Sequence, residues 1–379
     1  MRIAAAAASL FLALGTAYAQ RHTITINAET PEGQVLQQIG SETDEAKKLG
    51  LLEQFATQHP KHEGIAWVYE LLIPAYTKAG NFDGAMAAAD KLLASDPDDM
   101  DSAHAALKAA EAKKDPDAVL KWSNATSAIA RRVAASPKPS DEDEVADWKV
   151  RVDYAKQVDV YTEYAIYAAV LQTADPQKRI LLGQGLERRN PDSQYFGQVA
   201  EQYFLALMQA GKAGEAVELG ERALAKNAAS PEMLLALASG YIARKQPDKT
   251  IELAQKAAAA TEARPKPEGV SDADWQARQS VLVGRAKWIS GVTYAAQSKW
   301  ALADTALRAA LPAVQSDKDM LAEALFYLGL ANYRLGEAGD TERIKDALKF
   351  NTQCAAIPGR FQGPANTNIK AIRSQYRVK

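Results

Sequence analysis

The chain has 379 residues, of which 47% are hydrophobic, so it is long enough to bury a continuous core in one repeat array or several domains. Its 45 basic and 47 acidic residues give a formal net charge of −2, which argues against nucleic acid as the main partner. Alanine is abundant, β-branched residues are sparse, and no long run alternates apolar with polar residues. We therefore expect an all-α fold with almost no β-sheet.

The first segment, MRIAAAAASLFLALGTAYAQ, has the pattern of a signal peptide over residues 1–19. Arg2 supplies the positive charge, residues 3–15 form the apolar stretch, and Ala17-Tyr18-Ala19 is a small-x-small cleavage site. The apolar stretch is too short to span a bilayer, and no later apolar run reaches membrane length. We expect an exported protein, periplasmic or secreted, with no membrane span; the alternative for this segment is a buried N-terminal helix.

A helix–turn–helix pattern follows in WVYELLIPAYTKAGNFDGAMAAADKLLASDPDD. Apolar residues recur at helical spacing on both sides of Gly80-Asn81, which breaks the first helix, and Pro97 ends the second. Corresponding positions then lie 34 residues apart, as Leu72 and Ala106 do. Several copies in register predict stacked helix pairs, because no single pair can bury its apolar face alone.

This pattern resembles the tetratricopeptide repeat, in which an aromatic residue, a leucine-glycine pair, a tyrosine, an alanine and a proline recur at fixed places. In the copy quoted above, those places hold Tyr69, Leu72-Ile73, Tyr76, Ala85 and Pro97. The glycine of the pair is missing there, whereas Gly291 and Gly329 occupy family places in later copies. The resemblance implies an all-α, right-handed superhelical solenoid of about eight helix pairs between residues 33 and 357.

The remaining sequence divides along the same plan. After the signal peptide we expect an extended lead-in (20–32) in which Pro31 starts the first helix. The segments that follow are tetratricopeptide-like pairs (33–139), an irregular pair of long helices (140–191), regular pairs (192–261), an insertion loop and helix start (262–280), C-terminal pairs (281–357) and a basic capping tail (358–379).

Four aspartates in seven residues, SDPDDMD at 95–101, raise the question of a cation site. A calcium loop of the EF-hand type needs a central glycine and a later glutamate, but those places hold Asp101 and Leu107. We expect instead that Asp98 or Asp99 caps the helix that follows Pro97, with no metal bound. The acidic run at 141–147 is likewise expected to start a helix, because carboxylates there face the positive end of the helix dipole.

No other stretch predicts catalysis or a cofactor. His59 and His62 lie in HPKHEG, where proline and glycine favour a loop, and neither His22 nor His104 has two further ligands close in sequence. The chain has no Gly-x-Ser-x-Gly elbow, phosphate loop or Cys-x-x-Cys, and its single cysteine, Cys354, is expected to be buried. We therefore predict no catalytic residue, no metal and no cofactor.

Partner contacts are predicted from the family geometry. In tetratricopeptide arrays the first helix of each pair lines a concave groove, and exposed aromatic residues are the usual anchors of a partner. Transferring that geometry gives six candidates for partner contact: Trp67, Glu70, Gln198, Gln202, Trp288 and Phe326. The family's clamp for a C-terminal carboxylate needs lysine and asparagine at places where this chain has Glu70 and Pro74, which argues against binding of that kind.

The leading hypothesis is an exported, non-enzymatic scaffold that binds a protein or peptide in its groove. One alternative is a self-assembling structural envelope protein that stacks its end repeats head to tail. Another is an enzyme of cell-wall glycan cleavage, which needs a positioned acidic residue in a glycan cleft. The partner's identity and the oligomeric state are left open by the sequence.

Overall fold

The structure is a computed structural model that describes residues 21–376. The predicted signal peptide lies outside the described residues, as do positions 377–379 of the predicted capping tail. Within 21–376 the regular secondary structure consists of seventeen α-helices, with no β-strand. The prediction of an all-α fold is confirmed. No helix in this part of the chain combines the length and apolar character needed to cross a membrane.

The chain divides into two compact units, Met1–Tyr195 (unit 1) and Phe196–Lys379 (unit 2). Unit 1 has eight described helices: α1 (Pro31–Ser41), α2 (Glu45–Gln58), α3 (Ile65–Lys78), α4 (Phe82–Ser95), α5 (Met100–Lys113), α6 (Pro116–Ala134), α7 (Glu142–Gln172) and α8 (Pro176–Arg189). Each helix packs on the next one along the chain. The short connections therefore fold unit 1 into four consecutive helix pairs.

Unit 2 continues the same design with nine described helices: α9 (Phe196–Gln209), α10 (Ala213–Ala225), α11 (Pro231–Ala243), α12 (Pro247–Ala263), α13 (Asp272–Ala296), α14 (Trp300–Val314), α15 (Lys318–Gly336), α16 (Thr341–Ala355) and α17 (Gln362–Tyr376). These form four further pairs, and α17 packs on α15 and α16 with Ile372 buried. The described chain is thus a tetratricopeptide-like series of eight helix pairs, each unit an all-α solenoid; the hand of the superhelix stays a prediction.

Short polar side chains start the helices where the sequence predicts. The Asn81 side chain accepts a hydrogen bond from the Gly84 amide at 2.9 Å, and Gly80 has a φ of 74°, which favours glycine. Asp99 caps α5 by accepting the Ser102 amide at 3.0 Å, so the predicted capping role of SDPDDMD is confirmed for Asp99. Asp141 caps α7, with three acidic residues in its first turn, so the acidic run has the predicted role.

Successive pairs pack through the second helix of one pair and the first helix of the next, and their first helices also touch. In unit 1, α3 packs on α5 and α5 on α7; in unit 2, α11 packs on α13, α13 on α15, and α15 on α17. Among second helices, only α6 and α8 make comparable direct contact in the described chain. We call the side of each unit formed by α3, α5 and α7, or by α9, α11, α13 and α15, its first-helix surface.

Two long helices are preceded by the same short sequence, which the neighbouring helix pairs lack. Helices α7 and α13, of 31 and 25 residues, each follow a Pro-Lys-Pro sequence, at 137–139 and 265–267. Each also carries a tryptophan near its start, Trp148 and Trp275. The Trp148 indole N–H donates to the carbonyl and hydroxyl oxygens of Ser136, both at 3.1 Å, and so folds the helix start back onto its proline loop.

Candidate partner-binding surface

The lead-in lies on the first-helix surface of unit 1. Residues 21–27 have no helical structure, as the sequence predicts, and Ile24 packs against the unit 1 core. The backbone amide of Arg21 donates to Glu70 Oε1 at 2.8 Å, and that of His22 donates to Glu70 Oε2 at 3.0 Å. Glu70, a predicted partner-contact residue, therefore holds two successive backbone amides of the chain's own extended segment.

The Arg21 side chain reaches the loop between α4 and α5. Its Nε lies 2.8 Å from Asp96 Oδ2, its Nη2 donates to Asp96 Oδ1 at 3.1 Å, and its Nη1 donates to the carbonyl oxygen of Asp98 at 2.8 Å. This is the paired fork geometry in which a guanidinium binds a carboxylate with direction as well as charge. The aspartate run thus anchors the lead-in as well as capping α5.

His22 lies beside the same loop. The residues next to His22 in the sequence do not indicate this contact. Its Nε2 is 3.4 Å from Asp99 Oδ2 and 3.6 Å from Asp96 Oδ2, and these three atoms lie within 4.8 Å of one another. The carboxylate oxygens already have donors, because Arg21 binds Asp96 while the amide and hydroxyl of Ser102 bind Asp99. We therefore interpret the cluster as an anchor for a basic segment and assign no metal to it.

A polar seam joins α5 to α7 on the same surface. The Tyr161 hydroxyl contacts both Glu111 carboxylate oxygens, at 2.8 and 2.6 Å, and Lys108 Nζ lies 3.8 Å from the centre of the Tyr161 ring. The His104 and Tyr161 rings are 5.1 Å apart. These contacts hold α5 against α7.

The pKa values of Tyr161 and His104 in this seam are both shifted away from neutral pH. Burial raises the pKa of Tyr161, and the adjacent Glu111 charge raises it further, so the phenol stays protonated. Burial also lowers the pKa of His104 to about 4, with the Lys108 charge adding to the effect. A general acid or base works best with a pKa near the operating pH, so neither side chain is suited to proton transfer at pH 7.

Unit 2 has an open pocket at the N-terminal ends of two first helices. Its cavity is about 430 Å³ and lies between the starts of α9 and α11 and the end of α12. The lining combines small residues with a few polar groups: Gly197, Gln198, Glu201, Ala228, Ser230, Pro231, Ala260, Ala263 and Arg264. Arg264 Nη2 donates to both carboxylate oxygens of Glu201 at 2.8 Å, which fixes one charged pair at the wall.

The six predicted contact residues have different surroundings. Gln198 is exposed at the pocket, and Gln202 is partly exposed one turn further along α9. Trp67 is only 8% exposed and packs in the unit 1 core, so its indole has little surface for a partner and we assign it to the core. In unit 2, two aromatic residues are partly buried: Trp288 touches two core clusters, and Phe326 stacks on Phe361 at 5.0 Å.

The sequence did not indicate the charged pairs that complete the lead-in contact in unit 1 and the pocket in unit 2. Arg21 and Asp96 are 75 residues apart, so no local spacing could pair them. Arg264 belongs to the segment predicted as an insertion loop, and its partner Glu201 lies 63 residues earlier. The available signal was charge: Arg21 has no acidic residue three or four positions away, and Arg264 stands in a proline-rich stretch.

The chain matches no protein-family model and no curated protein. Among solved structures it is similar to the crystal structure of the P58(IPK) TPR domain, with 10% sequence identity and a TM-score of 0.28. That similarity covers 92% of this chain and 100% of the other. The consecutive helix pairs of the chain itself make its fold tetratricopeptide-like.

Proposed function

We propose that this protein is a non-enzymatic scaffold that binds a protein or peptide partner through its first-helix surfaces. The observation that carries the proposal is the unit 2 pocket. Binding cavities are typically 300–1,000 Å³, mostly apolar, with a few placed polar groups. The pocket, at about 430 Å³, is lined by glycine, alanine and proline together with Gln198, Ser230 and the Glu201–Arg264 pair.

The chemistry of the surface supports binding over catalysis. The unit 1 seam contains a buried, protonated tyrosine and a partly buried, neutral histidine, held in hydrogen bonds and ring contacts. Neither group changes charge at pH 7, so the seam offers a fixed surface and no proton donor or acceptor for catalysis. A purified protein that turns over a substrate with saturation would remove the non-enzymatic part of this proposal.

A pair of matched substitutions tests the pocket. Ala263 is exposed and lines the cavity, whereas Ala259 is exposed on the same helix and does not line it. We expect Ala263→Trp to fill the cavity and lower partner capture from an envelope extract at least tenfold, while Ala259→Trp leaves capture unchanged. Equal capture by both variants, with unchanged circular dichroism, would exclude the pocket as the partner site.

We also propose that the protein is exported, to the periplasm or the medium. The supporting observation is the charge, apolar stretch and small-x-small order of residues 1–19. The mass of the protein isolated from cells should correspond to a chain that starts at Gln20. A full-length mass recovered only from the cytoplasmic fraction would contradict export.

A further inference from the structure

We propose that Glu70, Asp96 and the Asp98 carbonyl form a binding site for a non-helical peptide that carries an arginine, and that the lead-in occupies this site as an internal ligand. The inference rests on the proposed function, because both place partner binding on the first-helix surfaces. It adds the location of a second site, the chemistry of its ligand, and a segment that competes for it.

The first element of recognition is the backbone. Glu70 accepts hydrogen bonds from two successive amides, at 2.8 and 3.0 Å, one to each carboxylate oxygen. Any residue except proline offers a backbone amide, so this contact recognises the main chain without regard to side chains. The two bonds fix the direction and register of the segment on α3.

The second element is specific for arginine. Asp96 accepts both Nε and Nη2 of Arg21, and the Asp98 carbonyl accepts Nη1. A lysine has one ammonium group and cannot make this planar set of three contacts. His22 adds a second basic position, since its Nε2 faces Asp99 Oδ2 at 3.4 Å. The site therefore favours a ligand with arginine followed by a second basic or hydrogen-bonding residue.

The lead-in is held in a way that permits exchange. The Arg21 side chain is 34% exposed and that of Asp96 is 21% exposed, so water and an external ligand can reach the ion pair. The fixed part of the lead-in lies further along the chain, where Ile24 packs on the core and the Asn27 carbonyl closely approaches Gly33. The tether raises the local concentration of Arg21 at the site, so the lead-in competes with any external ligand.

The test uses the whole chain and a fluorescent peptide with the sequence of residues 21–23, RHT. The N-terminus of the peptide is acylated so that the arginine keeps its backbone amide, and the peptide omits Ile24 and Asn27, the fixed part of the lead-in. We expect the peptide to bind the Arg21→Glu protein at least tenfold more tightly than the unsubstituted protein, because repulsion from Asp96 releases the lead-in. Arg21→Ala, which reverses no charge, should give a smaller gain in the same direction. Fluorescence anisotropy measures both, with circular dichroism confirming the helical fold.

Two controls decide the outcome. Adding Glu70→Gln and Asp96→Asn to the Arg21→Glu protein should abolish the gain, and a peptide with glutamate in place of its arginine should not bind. Absence of any gain in both Arg21 variants, or a gain that survives the Glu70 and Asp96 changes, would overturn the inference. If the peptide fails while Ala263→Trp still blocks partner capture, the proposed function stands and only the internal ligand is rejected.

Discussion

Asp304 on α14 shows how a buried charge is held in unit 2. It accepts hydrogen bonds from Arg343 Nη1 at 2.6 Å, Asn332 Nδ2 at 2.7 Å and Arg308 Nε at 2.8 Å. The residue is 5% exposed, so each carboxylate oxygen needs these donors. Burial alone raises the pKa of Asp304, but the three donors outweigh it and hold the pKa below its ordinary value of 3.8.

Replacing Asp304 with asparagine should lower the free energy of unfolding at pH 7. We expect a loss of about 2 to 3 kcal/mol, the range for hydrogen bonds to a charged group, because two arginines lose their carboxylate. The contribution is complete above pH 3.8 and disappears as the pH falls through the lower folded-state pKa. Urea denaturation at pH 7 and pH 3 measures the difference. Asp346→Asn, at a half-exposed partner of Arg308, should cost less than about 1 kcal/mol.

His104 should make the free energy of unfolding depend on pH between about 4 and 6.5, a higher range than for Asp304. Its folded-state pKa of about 4 lies below the ordinary 6.5, so between these values the unfolded chain binds a proton that the folded chain does not. Stability contributed by His104 is complete above pH 6.5 and falls as the pH drops towards 4. Between pH 7 and 5 we expect the loss to be roughly 1 to 2 kcal/mol, smaller in His104→Gln. An identical pH dependence in both proteins would contradict the low pKa.

At the scale of elements, the close approach of α13 to α14 depends on Gly291. A Cβ atom added there would lie 2.6 Å from Leu307 Cγ and 3.2 Å from the Leu307 backbone nitrogen. Leu307 is fully buried, so it has no free space into which to move. The close contact with Leu307 therefore explains why the repeat pattern has a glycine at position 291.

Gly291→Ala and Gly240→Ala should change stability in opposite directions. We expect Gly291→Ala to lower the free energy of unfolding by about 1 to 2 kcal/mol, because overpacking outweighs the gain in helix propensity. Gly240 also lies within a helix, α11, but an added Cβ there meets nothing within 4 Å. Its replacement should stabilise by about 0.5 to 1 kcal/mol. Thermal unfolding of both variants measures the two changes. A Gly291→Ala protein that is more stable than the unsubstituted protein would contradict the close approach of α13 to α14.

The helices were predictable from the sequence because their signals are local. Asp115-Pro116 and Asp175-Pro176 each place a cap and a first-turn proline side by side, and α6 and α8 begin there. The burial of Cys354 was expected because cysteine packs as a small apolar residue, and burial raises the pKa of its thiol to about 11. The contacts of Arg21 depend instead on how α3 and α5 bring distant loops together, which no spacing in the sequence encodes.

At the scale of the whole molecule, both units repeat one design with one departure each. The pairs are regular except where a Pro-Lys-Pro sequence precedes a long helix, α7 in unit 1 and α13 in unit 2. In unit 2 this departure supplies Arg264, and so contributes the charged wall of the pocket. The sequence shows the insertion, but the pocket arises only when α9, α11 and α12 are folded side by side.

Cross-linking of the partner complex, followed by mass spectrometry, tests the central claim most directly. Exposed lysines lie on first helices, for example Lys108 and Lys287, and on second helices away from the pocket, for example Lys91, Lys121 and Lys345. If the partner binds the first-helix surfaces, its cross-links should concentrate at Lys108 and Lys287. Cross-links confined to Lys91, Lys121 and Lys345 would show that the partner binds the opposite side, and would contradict the proposed function.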